Sequence, residues 1–252
     1  MPESEKRESE LEQGPNVLKS EHLAEEYRPI IASIGNREEH GKNDFFDNVE
    51  AFGENVNYRG HPDLLNMRGF KADNFDANMP SYIISPVNEK DKFTKELLDC
   101  TSVIAVGRDV SSGKDISVLT HQDPKIFLKE QKEAFTKDLE ERLRDLRQKC
   151  HEGSVDIVIA GGKLMRDRPD DYKDSLEKLD DIVESVFGFE PLVICGPKYP
   201  EADEDDIYFD TQNRRLYIVR PKDSKFSNEP FPSGKAGEMQ KKWEEKGIFA
   251  ED

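Results

Sequence analysis

The chain has 252 residues, 35% hydrophobic and 36% charged, which is too polar for one apolar core from end to end. Its net charge of −17 argues against nonspecific binding to nucleic acid or to an anionic membrane, because both need a basic face. No apolar run is long enough to span a bilayer, so no membrane insertion is expected.

Residues 1 to about 28 are dense in Glu and Lys, with a short helix conceivable over Asn16–Tyr27. Residues 34–80 are rich in Asn, Asp, Gly and aromatics and show little periodicity, so residues 1–80 read as a polar, partly irregular N-terminal extension. Order is expected from Ser81. Tyr82-Ile83-Ile84 reads as a strand ended by Pro86, and Phe93–Leu98 as a helical turn. Two β-rich runs follow, Cys100–Val106 and Ile116–His121, joined by a turn with Ser111-Ser112-Gly113-Lys114, which is a hairpin signal. Phe135, Leu139, Leu143 and Leu146 recur at helical spacing, so Pro124–Cys150 holds an amphipathic helix. Val155–Ala160 is a buried strand closed by Gly161-Gly162. Tyr172–Phe187 is a second amphipathic helix, Leu192–Gly196 another strand, and Asp206–Val219 a hairpin. Residues 223–252 form a polar tail with one candidate helix near Ala236–Lys246. The order predicts an α+β fold: a layered sandwich of mostly antiparallel or mixed sheets with two long amphipathic helices, over residues 81–222. Gly161-Gly162 lacks the spacing of a dinucleotide loop.

The hairpin carries the chemistry. In an antiparallel pair the start of the first strand lies beside the end of the second, which brings Cys100 towards His121. A thiol beside an imidazole is the minimal apparatus for thiolate attack on a carbonyl. A third group must orient the imidazole. Thr94, Ser85, a backbone carbonyl and Asp123 (two residues from His121, on the same side of a strand) are candidates. Taken alone, a cysteine is often only a small buried hydrophobe and a strand-end histidine only a surface residue. An open cleft above Cys100 supports an enzyme; a buried Cys100, or side chains on opposite faces, counts against the dyad and favours a binding scaffold. Cys150 and Cys195 serve as controls, the first ending a helix beside His151 and the second in an apolar strand. Three sparse cysteines without metal-type spacing favour reduced thiols, with no metal and no cofactor expected. His61 sits in an expected loop without an evident partner, and Ala202–Asp206 reads as a solvated acidic turn lacking a calcium-loop pattern. Met1-Pro2-Glu3-Ser4-Glu5-Lys6 does not resemble a secretory or transit signal. A cytoplasmic location is expected, and export by a non-classical system is compatible with it.

From Tyr82 to Val219 the chain resembles the bacterial chemotaxis receptor glutamine deamidases (CheD-like), which share a fold and a Cys–His centre with the catalytic domain of cytotoxic necrotizing factor toxins. The family's cysteine opens a strand, as in Leu98-Asp99-Cys100-Thr101-Ser102-Val103, although Leu98-Asp99 replaces its Gly-Ser. Its histidine closes the next strand, as His121 does, here after a longer turn. Val158-Ile159-Ala160-Gly161-Gly162 and Phe209-Asp210-Thr211-Gln212-Asn213-Arg214-Arg215-Leu216 are similar to two further motifs. The family also has a threonine six positions before the cysteine, where Thr94 stands. The resemblance implies a protein glutamine deamidase with Cys100, His121 and Thr94 in catalysis, Ser85, Thr101, Asp123, Gly161 and Gly162 near the cleft, and a protein substrate bearing the target glutamine. Loops at 34–80 and 196–206 are candidates for specificity. The competing expectations are a non-catalytic adaptor on the same scaffold, favoured by the replaced Gly-Ser, and another Cys–His activity such as a transglutaminase or peptidase.

Overall fold

The structure, a computed structural model, describes residues 22–37, 40, 44–57, 82–97, 100–124, 128, 131–162, 169–195 and 205–220. The expected helices at 16–27 and 236–246, and His61, lie wholly or largely outside these residues; the described part of the first, 22–27, forms turns.

The fold is the expected layered α+β sandwich. In chain order the elements are β1 (Ile31–Gly35), α1 (Asp44–Phe52), β2 (Glu54–Asn55), β3 (Tyr82–Ile84), β4 (Lys92–Leu97), β5 (Thr101–Arg108), β6 (Asp115–Gln122), α2 (Lys132–Lys149), β7 (Asp156–Gly161), α3 (Pro169–Phe187), β8 (Leu192–Cys195), β9 (Asp205–Asp210) and β10 (Arg215–Val219). The strands form two five-stranded sheets, ordered β1-β10-β9-β4-β2 and β3-β6-β5-β7-β8. Both are mixed: β1 runs parallel to β10, β2 to β4 and β7 to β8, and the other pairs are antiparallel. Among the described residues the β7–α3–β8 unit is the one parallel crossover of the second sheet, and α3 lets the chain return in the same direction.

Strand alternation sorts the side chains into layers. From β5, Val103 and Ala105 face α2 and α3, joining Phe135, Leu139, Leu143, Leu146, Leu179 and Val183. Cys100, Ile104 and Val106 face the other sheet, joining Ile207, Phe209, Leu216 and Ile218. On the far side of the first sheet, Phe46 and Val49 of α1 pack on Phe93 and Tyr208. The order of layers is therefore α1, first sheet, second sheet, α2 with α3.

The layer between the sheets is apolar but crossed by polar contacts along β6. Asp115 accepts two hydrogen bonds from the buried Arg214, Ser117 bonds Thr211 at 2.8 Å, and His121 bonds Thr94 at 2.6 Å. These β6 residues are spaced by an even number of positions, so one strand face stitches the two sheets together.

Two expectations change. Phe93–Leu98, read as a helical turn, is largely strand β4, with β9 on one side and β2 on the other. Six residues are too few for local propensity to resist ladders on both flanks. The segment read as an N-terminal extension contributes β1, α1 and β2 to the first sheet and its outer face, and Ile30, Phe46, Val49 and Val56 are buried. The stretch before β1 is tied down as well. His22 stacks on Phe189 with ring centroids 3.3 Å apart, and the Ile30 N–H donates to the buried Asp156.

Candidate functional site

The hairpin aligns the two residues that define the candidate site. Thr101 pairs with Gln122 and Ile104 with Leu119. This register places Ser102 opposite His121, and Cys100, one residue ahead of β5, opposite Asp123. Cys100 and His121 are therefore diagonal neighbours on the face turned to the first sheet, where backbones lie roughly 7–8 Å apart and long side chains reach across.

Thr94 comes from the opposite sheet. It stands on the inner face of β4, its partner Ile207 on β9 being in the same inter-sheet core. Its Oγ1 lies 2.6 Å from His121 Nδ1 and 3.3 Å from the Val56 carbonyl oxygen, to which it donates. A hydroxyl has one proton. With that proton given to Val56, Oγ1 accepts from Nδ1–H, and Nε2 carries the imidazole lone pair.

Between Thr94 and Cys100 the chain passes from one sheet to the other. The ladder between β4 and β9 shifts register between Thr94 and Leu97, and Glu96 takes a left-handed backbone, φ 62°. The Glu96 N–H donates to the Asp206 carboxylate at 3.0 Å. This bulge lies where the chain leaves the first sheet, so that Thr94 meets His121 from one sheet while Cys100 stands on the facing side of the other.

Gly161 and Gly162 end β7 against Cys100. Both have left-handed backbones, φ 85° and 80°, which favour glycine. The Gly162 N–H donates to the Cys100 carbonyl at 2.8 Å. A Cβ on Gly161 would stand 3.0 Å from the Cys100 carbonyl oxygen, so the close approach also requires glycine.

The remaining candidates divide. Thr101 faces the helices, bonding Ser175 of α3 at 3.3 Å and accepting from the Gln122 amide; alternation removes it from the Cys100 face. Ser85 Oγ accepts the Leu119 N–H at 2.9 Å, so it is committed to the backbone two residues from His121. Asp123 is buried just past the end of β6, while Nδ1 of His121 is met by Thr94. Asp205, read as part of a solvated turn, is a buried strand residue gripped by Arg220 Nε at 2.9 and 3.1 Å. The sequence signal for that pair was only two opposite charges at the ends of a hairpin, which is too common to be specific.

Of the two outcomes that separate enzyme from scaffold, an open cleft or a buried Cys100, the described residues show the second. Cys100 is 1% exposed and His121 0%, because the first sheet covers this face of the second. Cys150, the control, is buried at the end of α2, where burial raises its thiol pKa to about 12. The side chain of Cys195 lies outside the described residues.

Among the described residues Asp180, Asp181 and Glu184 alone bring three potential metal ligands together; they lie on α3, away from the Cys100 face. No described helix is long and apolar enough to cross a membrane. Comparison with known proteins finds no matching family model and no matching curated relative.

Proposed function

We propose that this protein is a thiol amidohydrolase that deamidates a glutamine side chain of a partner protein. The observation that carries the reading is the 2.6 Å contact between Thr94 and His121 Nδ1, made across two sheets on the face that holds Cys100. Thr94 fixes the imidazole so that Nε2 is the basic nitrogen, the task of the third member of a nucleophilic triad. His121 takes the Cys100 proton, and the thiolate forms a bond to the carboxamide carbon. Collapse of the tetrahedral adduct breaks the C–N bond, and the imidazolium proton leaves with ammonia. Water, deprotonated by His121, then cleaves the thioester, giving glutamate and the free thiol. The resemblance to the CheD-like deamidases supports the choice of a glutamine over other carbonyl substrates. Catalysis requires the cover over Cys100 to part, since the thiol is nearly inaccessible as it stands.

That burial favours a second reading, a binding scaffold that has kept the residues without the chemistry. Alkylation separates the two. Iodoacetamide is added to the folded protein at neutral pH and the modified cysteine is mapped by mass spectrometry. The enzyme reading expects Cys100 to be labelled well before Cys150, and a His121→Ala substitution to abolish that preference. Labelling of Cys100 as slow as that of Cys150 overturns the enzyme reading and leaves the scaffold.

A further inference from the structure

The hydroxyl of Ser102 has no part in the steps above. Ser102 is 0% exposed, and its Oγ has no hydrogen-bond partner among the described residues. Buried hydroxyls around it are all engaged: Thr94 with His121 and Val56, Ser85 with Leu119, Ser117 with Thr211, Thr120 with the Val103 N–H. An unpaired hydroxyl in a buried, largely apolar layer is costly, and an alanine would avoid that cost.

Its position is as informative as its lack of a partner. The β5–β6 register sets Ser102 opposite His121, and the β5–β7 register sets it opposite Ala160. Cys100 lies two residues earlier on the same strand face. The unpaired oxygen is thus bordered by the imidazole on one side, a methyl group on the other and the thiol along its own strand.

We infer that Ser102 binds the primary carboxamide of the substrate and selects for it. This rests on the thiol amidohydrolase reading. A hydroxyl offers one proton and two lone pairs. A carboxamide matches it in both directions, accepting through its oxygen and donating through its –NH2. A carboxylate has no N–H to give and brings a charge into a buried, largely apolar layer. The same hydroxyl that holds the amide therefore holds the glutamate product poorly, and a site built around a buried polar group discriminates strongly against ligands that leave it unpaired.

The experiment compares two reagents on Cys100 in the full chain, wild type and Ser102→Ala. Iodoacetamide carries a primary carboxamide; methyl methanethiosulfonate carries none. The inference expects Ser102→Ala to lower the iodoacetamide rate roughly 3- to 10-fold relative to the methanethiosulfonate rate, the effect of one neutral hydrogen bond, with an unchanged or raised melting temperature. A reactive Cys100 with an unchanged rate ratio overturns the role of Ser102 and leaves the thiol chemistry standing. Equal slowing towards both reagents with a lowered melting temperature marks a packing role and also overturns it. A wild-type Cys100 inert to both reagents overturns the amidohydrolase reading and this inference together.

Discussion

The Thr94 hydroxyl gives its one proton to the Val56 carbonyl and accepts from His121 Nδ1–H, and this pair of contacts fixes how His121 is held. Replacing it with valine keeps the shape and removes both contacts, leaving a ring nitrogen and a carbonyl oxygen buried without their partner. Thr94→Val should therefore cost about 1–3 kcal/mol in urea denaturation and slow Cys100 alkylation, while Thr94→Ser, which restores the hydroxyl, recovers most of both. If valine is tolerated in both assays, Thr94 is not what orients the ring. Of the residues singled out in the sequence, Cys100, His121, Gly161 and Gly162 were legible through hairpin geometry and strand ends. Thr94 was visible only through resemblance, since its partner is on another sheet and nothing in local spacing links them. Ser102 gave no signal, because a serine in an apolar strand announces neither its face nor its lack of a partner.

The element that does most to shape the site is β4, and its bulge is strained. Glu96 holds φ 62°, a conformation that costs a side chain-bearing residue about 1–2 kcal/mol. Glycine relieves this and retains the N–H that Asp206 accepts. Glu96→Gly is expected to raise stability by about 1 kcal/mol, whereas Glu96→Ala, which keeps a Cβ, gives no such gain. Equal effects from the two, measured by denaturant midpoint, would show that the left-handed conformation is not retained in solution. The helices α2 and α3 and the hairpins β5–β6 and β9–β10 were readable because their apolar spacing is long and regular. β4 was misread because six residues carry little periodicity and its conformation is imposed by β9, β2 and the crossing to β5.

At the scale of the molecule, the N-terminal segment belongs to the folding unit. Ile30, Phe46, Val49 and Val56 are each at most 4% exposed. At about 1.5–3 kcal/mol per buried side chain, their loss rivals the entire net stability of a typical domain, about 5–15 kcal/mol. Deleting residues 1–80 should abolish cooperative unfolding, seen by circular dichroism, and Cys100 selectivity with it. A deletion that keeps a sharp transition would show that the first sheet survives without β1 and β2. The pH dependence of stability is also a property of the whole. Lys92 is buried between the sheets, where it donates to Asn88 at 2.8 Å. Burial lowers its pKa to about 8, with the neighbouring Glu54 opposing that shift. Above pH 8 the unfolded chain then binds more protons at this site than the folded one, so Lys92 adds stability from about pH 8 towards 10, while Cys150, whose pKa burial raises to about 12, opposes that gain from about pH 9. Above that, Tyr82 and Tyr208 act in reverse, because burial raises both pKa values and the unfolded chain ionises first. In urea titrations across this range, Lys92→Met should lose the rise below pH 10. A variant profile parallel to wild type would remove Lys92 as its source.

Sequence alone determined the fold class, most of the element order and the placing of Cys100 and His121 on neighbouring strands of one hairpin, because each follows from periodicity or from hairpin register, which are properties of contiguous chain. It could not determine that the segment before Ser81 completes the first sheet, that Thr94 reaches His121 from the opposite sheet, or that Cys100 is covered. Those are contacts between residues far apart in the chain, and only the stacking of one sheet on the other, with β4 bent between them, decides which side chains meet in the buried layer they enclose.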